Sequence, residues 1–158
     1  MRSRRKLGRW FDTKGSLHDQ GLTFMKVIHK IAAMVIKDNS FLMVRKKGKD
    51  IWTNLGGKPE GDETEEQALV REIKEELDCD AKVIRKLGDF ESKAAFDDAI
   101  VKLSTYLVEL IGEPRVIDEE LEVFDYIKKD YKSQGIKLPA SIEEKILPFC
   151  IEQKLLDW

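Results

Sequence analysis

From Val27 the chain carries two apolar runs of strand length, VIHKIAAMVIK and FLMVRKK, separated by Asp38-Asn39-Ser40. This pattern predicts two strands paired across a hairpin turn. A different rhythm governs residues 64–77, which lack Gly and Pro and place Leu69, Ile73 and Leu77 at i, i+4 and i+8. That spacing gathers the apolar side chains on one stripe of an amphipathic helix. Between the two patterns lie Trp52, the Gly56-Gly57 pair and Lys58-Pro59-Glu60-Gly61-Asp62, a loop by its glycine and proline content. Further on, AKVIRKLGDFE and AIVKLSTYLVELIG read as strands, while residues 123–131 fit a strand or a helix. Ser141, after Pro139, is placed to cap a closing helix that Pro148 would kink or break. The order of strands, helix, strands and helix predicts one α/β (α+β) layered domain over residues 25–158, without an internal repeat.

Residues 1–24 follow neither period and are expected to form a mobile arm. They carry six basic and two acidic side chains, net +4, whereas the whole chain of 158 residues is at −2, so the remainder stands at −6. The cluster Arg2, Arg4, Arg5 and Lys6 suits contact with nucleic acid or a phosphorylated ligand, or simple solvation, and Trp10, Phe11 and Phe24 offer local anchors. The near-balanced total argues against a nucleic-acid binder as a whole. No apolar run approaches the roughly 18 residues of a membrane helix, and no secretion-type apolar segment opens the chain. Cys79 and Cys150, far apart and without C-x-x-C spacing, suggest neither a disulfide framework nor zinc. A soluble, cytoplasmic protein with reduced thiols is the expectation.

Charge changes the picture most between Glu60 and Asp80, where ten carboxylates face only Arg71 and Lys74. Self-repulsion makes such a helix costly unless something compensates. Glu72, Glu75 and Glu76 fall at i, i+3 and i+4, so their carboxylates are expected to converge on adjacent turns of one face. Oxygen-only donors of this kind suit Mg²⁺ or Mn²⁺. The plain alternative is a solvated acidic face.

The run Gly57-x5-Glu63-x7-Arg71-Glu72-Ile73-x-Glu75-Glu76 resembles the Nudix box, G-x5-E-x7-R-E-U-x-E-E-x-G-U with U a bulky aliphatic residue. It departs at the end, where Asp78 replaces the glycine and Cys79 the final aliphatic residue. Asp tolerates turn conformations well enough for the helix still to stop there. Upstream, WTNLGGKPEGDE is similar to the family's W-x-x-P-G-G-K lead-in, with Leu55 at the proline position. Downstream, FESKAA, YLVELIGEP, DEELEVFDY and LPASIEEKIL resemble the MutT-like branch in order, so the likeness runs over about residues 27–156.

This resemblance implies the Nudix α/β/α sandwich, with a mixed β-sheet between helices, and hydrolysis of a nucleoside diphosphate linked to another moiety. It implies metal ligation by Glu72, Glu75, Glu76 and the Gly57 carbonyl, with Arg71, partnered by Glu63, orienting a glutamate. Glu120, or its neighbour Glu119, stands where relatives place a further carboxylate, and Glu120 keeps the family spacing to Tyr126. Arg45, Lys46 and Lys58 are the candidate phosphate contacts, although cations at a strand end also serve simply to deter aggregation. His29 reads as structural, and Trp52 as core, rim or base-stacking aromatic.

The leading expectation is a Mg²⁺-dependent (or Mn²⁺-dependent) pyrophosphohydrolase of nucleoside triphosphates. Alternatives are a hydrolase of dinucleoside polyphosphates or nucleotide sugars, and a catalytically silent nucleotide sensor. The ADP-ribose-type proline downstream of the box is missing near Lys93-Ala94-Ala95-Phe96, and coenzyme A-type motifs are absent. Phe96 falls near the aromatic of diadenosine polyphosphate hydrolases, which expect Tyr there. Ser141 stands where relatives that read oxidised guanine carry Asn. The partner implied is a nucleotide-type small molecule, and a homodimer is compatible with the family.

Overall fold

The computed structural model describes residues 25–94 and 98–158. The basic arm of residues 1–24 and Phe96, with the roles suggested for them, lie outside the described residues. Among the described residues, eight strands form two sheets: β1 (Lys26–Met34), β2 (Ile36–Lys37), β3 (Ser40–Lys46), β4 (Trp52–Thr53), β5 (Leu55–Gly57), β6 (Asp80–Lys93), β7 (Ala99–Ile111) and β8 (Leu121–Ile127). The first sheet runs β5-β1-β7-β6 and is mixed, since β1 lies parallel to β7 while the other pairs are antiparallel. In the second, β8 takes one edge of β3, and β2 and β4 share the other.

Helix α1 (Glu65–Leu77) covers one side. A π-helical turn (Ser141–Ile146) running into α2 (Leu147–Glu152) covers the other. Alternation along the strands feeds both layers. Ile31, Ala33 and Val35, with Leu42 and Val44, pack toward Leu69, Ile73 and Leu77 of α1, whereas Ala32, Met34, Phe41 and Met43 pack toward Ile142, Ile146 and Cys150. Burial on both faces is why these strands read as nearly continuous apolar runs. The result is the α/β/α sandwich that the sequence implies.

Three expectations change. The first apolar run is not one hairpin strand: it divides at Val35, and only Ile36–Lys37 pairs back onto β3, through a turn with Asp38 and Asn39 at φ 50° and 56°. Its longer part, β1, pairs instead with β7 and β5. Ser141 does not cap the closing helix. It is buried inside the first turn, and the Pro139 carbonyl accepts from the N–H groups of Ile142 and Glu143 at 2.9 and 3.0 Å. Pro148 does not break the helix either, because it stands in the opening positions of α2, where an absent N–H is tolerated. The ambiguous segment resolves into strand β8 followed by turns.

Candidate functional site

Helix α1 begins with a capping box, in which Thr64 Oγ1 accepts from the Gln67 N–H at 3.1 Å and Gln67 Oε1 accepts from the Thr64 N–H at 3.0 Å. Its apolar stripe, Leu69, Ile73 and Leu77, is fully buried. The helix ends at Asp78, in the left-handed conformation at φ 48°, whose N–H bonds the Lys74 carbonyl at 3.0 Å. Arg115 at 2.6 Å and Lys74 at 3.5 Å hold the Asp78 carboxylate and depress its pKa, the Arg115 hydrogen bond most. Aspartate therefore stops the helix where the family pattern has glycine.

The two glycines of β5 serve close approach. A Cβ on Gly57 would overlap the Glu72 carboxylate, and one on Gly56, at φ 139°, would strike the Ile31 carbonyl of β1. Their bareness lets β5 and the carboxylate face of α1 meet at one end of a cavity of about 380 Å³. Glu72, Glu76, Gly56, Gly57, Lys46, Lys58 and Glu120 all line it.

Glu76 is the anomalous group. Its Oε2 is buried and has no hydrogen-bond partner. Burial first, then the nearby charges of Glu72 and Asp118, push its pKa up to about 8, against the opposing pull of the Gly56 backbone and Lys46. Glu72 is also raised, by burial above all, although Arg71 and the Lys58 backbone restrain the shift. Arg71 acts as a spider at the rim. It donates to both Glu63 oxygens at 2.7 and 3.0 Å, to Glu72 and Glu75 at 3.2 Å each, and to the Lys58 carbonyl at 3.1 Å. The Arg71 hydrogen bond drives Glu63 below the ordinary carboxylate range.

The expected convergence of three carboxylates is only partly met. Glu72 and Glu76 face the cavity, whereas Glu75 is held outside it by Arg71, and among the described residues no three His, Cys, Asp or Glu groups already converge as a metal cage. Arg45 is likewise not brought to the cavity. Strand alternation carries Lys46 inward with Val44 and turns Arg45 to the opposite face, over the Trp52 ring at 5.4 Å and against Glu122 at 3.2 Å. Glu120 reaches the cavity rim, paired with Lys46 at 3.2 Å. Asp118, overlooked in the sequence reading, lies deeper in electrostatic terms, since Glu76 feels its charge; its Oδ1 also accepts from the Glu120 N–H at 2.7 Å. The only sequence signal for Asp118 is its place at the head of the Asp-Glu-Glu run, where a short side chain can tie back to the backbone.

A carboxylate raised by burial and then by two other carboxylates, with one oxygen unpartnered and the charge of Lys46 too weak to offset them, is short of positive charge. All the donors around it are hard oxygens, so the residues fit a divalent cation.

Fold and site together define a hydrolase-type α/β/α sandwich with a glycine loop leading into an acidic helix. The NUDIX domain profile matches residues 27–130, well over half of the chain, and the protein belongs to that family. Over 63 residues it is 40% identical to the CTP pyrophosphohydrolase of Escherichia coli (strain K12), a stretch covering 37% of this chain and 47% of that protein. The chain thus matches about half the length of this curated relative. Among solved structures, the E. coli ORF135 protein superposes with a TM-score of 0.64 at 25% identity, covering 83% of this chain and 94% of that one. A MutT NUDIX hydrolase from Burkholderia pseudomallei does so with a TM-score of 0.58 at 25% identity, covering 66% and 85%. No helix among the described residues is long and apolar enough to cross a membrane.

Proposed function

We propose that the protein is a pyrophosphohydrolase that uses Mg²⁺ or Mn²⁺ to cleave nucleoside triphosphates to a monophosphate and pyrophosphate, working in the cytoplasm. The observation that carries this reading is Glu76, buried, with one oxygen unpartnered and its pKa pushed up to about 8 beside Glu72 and Asp118. The 40% identity to a CTP pyrophosphohydrolase supports the substrate class.

In this reading Glu72 and Glu76 hold the cation with the Gly57 carbonyl, and Glu75, which Arg71 holds outside the cavity, would join them only on leaving the guanidinium. Bound there, a divalent ion would neutralise the diphosphate and lower the pKa of the attacking water. Arg71 is a positioning residue: anchored on Glu63 and the Lys58 carbonyl, it keeps Glu72 aimed at the cavity. Lys46 and Lys58 line the same end and suit the nonbridging phosphate oxygens. Asp118 and Glu120 stand across from α1 as acceptors for the proton of water.

The test is release of pyrophosphate and phosphate from nucleoside triphosphates, dinucleoside polyphosphates and nucleotide sugars, with and without Mg²⁺ or Mn²⁺. Metal-dependent pyrophosphate release from triphosphates is expected. Turnover confined to nucleotide sugars or dinucleoside polyphosphates would move the assignment to those substrates, and folded protein silent on every nucleotide would remove the catalytic reading.

A further inference from the structure

The last four carbonyls of a helix have no partner within it. In α1 that of Lys74 is met locally, by the Asp78 N–H. Those of Leu77 and Glu76 are met from a distant stretch of chain, by the N–H groups of Arg115 at 2.8 Å and Ile117 at 3.1 Å. Between these two residues, Val116 packs on the core beneath α1. The strap so formed runs directly into Asp118, which lines the same cavity as Glu76 and whose charge Glu76 feels. Asp118 is tied on its far side as well, its Oδ1 accepting from the Glu120 N–H at 2.7 Å and its carbonyl from the Leu121 N–H at 3.2 Å. A carboxylate that does not belong to α1 is thus placed by the stitching of residues 115–117 onto the helix end.

One side chain from each part joins the stitch. Arg115 Nη2 donates to Asp78 Oδ2 at 2.6 Å, a charge-assisted bond across 37 positions of sequence. Asp78 occupies the place where the box pattern has glycine, which has no side chain to offer. At φ 48° glycine would stop the helix at least as well, so stopping the helix does not account for the carboxylate. Lys74 also reaches Asp78, at 3.5 Å, but it belongs to the same helix and binds Asp80 at 3.3 Å, so it ties nothing across to the strap.

We infer that Asp78 and Arg115 are positioning residues, whose ion pair latches the strap to the end of α1 and keeps Asp118 at the Glu76 end of the cavity. The inference rests on the pyrophosphohydrolase reading above, in which Asp118 serves the attacking water. The pair is exposed, with 73% of the Arg115 side chain and 37% of that of Asp78 open to solvent, so it tunes a place already set by the main-chain bonds. Its loss lowers activity several-fold without abolishing it.

The experiment measures kcat and KM for the preferred nucleoside triphosphate with Mg²⁺ in the wild type, Asp78→Gly, Arg115→Ala, the double variant and Lys74→Ala. Amide hydrogen exchange at Arg115 and Ile117 is followed in the same proteins without metal. Asp78→Gly and Arg115→Ala are each expected to lower kcat about three- to tenfold with KM little changed, and the double variant to fall no further than either. Lys74→Ala should keep the wild-type kcat, and exchange at the two strap amides should quicken in the latch variants alone. Wild-type kcat in Asp78→Gly overturns the inference, leaving Asp78 as a helix stop only. So does a double variant whose losses multiply, or a Lys74→Ala variant that loses as much as Arg115→Ala. If the wild type turns over no triphosphate, the functional reading fails separately and exchange decides the latch: unchanged protection of the Arg115 and Ile117 amides in Asp78→Gly overturns it.

Discussion

The two ends of helix α1 carry partly buried carboxylates that the protein treats in opposite ways. At the first turn, Glu65 accepts from the Tyr106 hydroxyl at 2.5 Å and faces Lys86 at 3.6 Å and His29 at 3.5 Å. Behind it the buried Ser104 hydroxyl donates to Asp89 at 2.6 Å, so the His29 Nε2–H donates to Ser104 at 2.9 Å, and Lys86 closes on Asp89 at 3.0 Å. Burial raises the pKa of Glu65, but the hydrogen bond from Tyr106, with the nearby Ser104 hydroxyl and the charges of Lys86 and His29, carries it below the ordinary value. Eleven residues later, about 16 Å along the axis, Glu76 has an oxygen with no partner and is raised to about 8. One end is a satisfied network that docks the helix on the sheet. The other is left wanting a cation, and stability is sacrificed there for chemistry.

Removing the charge at the unsatisfied end should have the largest effect. Glu76→Gln and Glu72→Gln are each expected to lower turnover by more than the roughly 10- to 100-fold that loss of a supporting partner costs, with folding intact by circular dichroism. Arg71→Ala should fall within that 10- to 100-fold range in kcat, because Glu72 and Glu75 lose their shared donor. Near-normal kcat in Arg71→Ala would show that the arginine merely relieves repulsion along the helix.

The pH dependence of stability separates the two ends by sign. Glu76 has its folded pKa raised, so its contribution is intact below the unfolded value of 4.5 and is lost as pH climbs through about 8. In metal-free protein, Glu76→Gln should match the wild type near pH 4 and exceed it by a few kcal/mol at pH 9 in denaturant titrations. Glu65 has its folded pKa lowered, so its contribution is present above the unfolded value of 4.5 and is lost as pH falls through the lower folded value. Glu65→Gln should therefore be destabilising at neutral pH and converge on the wild type in acid. A Glu76→Gln variant less stable than the wild type at pH 9 would refute the contrast.

A smaller effect is expected within the network itself. Ser104→Ala leaves His29 and Asp89 short of a shared partner and should cost about 1–3 kcal/mol. Its kcat at a temperature where it remains folded should equal that of the wild type, since no atom of the network reaches the cavity. A loss of kcat without a loss of stability would instead tie the network to catalysis.

How much of this was legible in the sequence follows from how local each feature is. Helix α1 and its apolar stripe depend on spacings of three and four residues and stand where the pattern puts them, whereas of the acidic face only Glu72 and Glu76 reach the cavity. The pairing of β1 with β7 joins segments more than 70 residues apart, which no local rhythm records, and the pattern points instead to the adjacent apolar run. The long run from Val27 to Lys37 did hold a clue, because burial on both faces belongs to a central strand. Arg45 and Lys46 could be separated by alternation alone once the strand was known, as period two turns only one of them to the cavity. Asp118 was hidden by its neighbours: three acidic residues in a row look alike in sequence, and only the fold distinguishes the one whose charge Glu76 feels. Asp78 ends the helix as its turn tolerance predicts, with Arg115, a residue 37 positions away, bonded to its carboxylate.

The central claim is that the unpartnered carboxylate at the end of α1 exists to receive a divalent cation. The most direct measurement is Mn²⁺ binding, followed by the paramagnetic resonance signal of the free ion, in the wild type and in Glu76→Gln at pH 8. The account predicts a saturable site in the wild type whose affinity falls by about tenfold or more in the variant. Equal affinity in both proteins, or no saturable site in folded wild type, would contradict it.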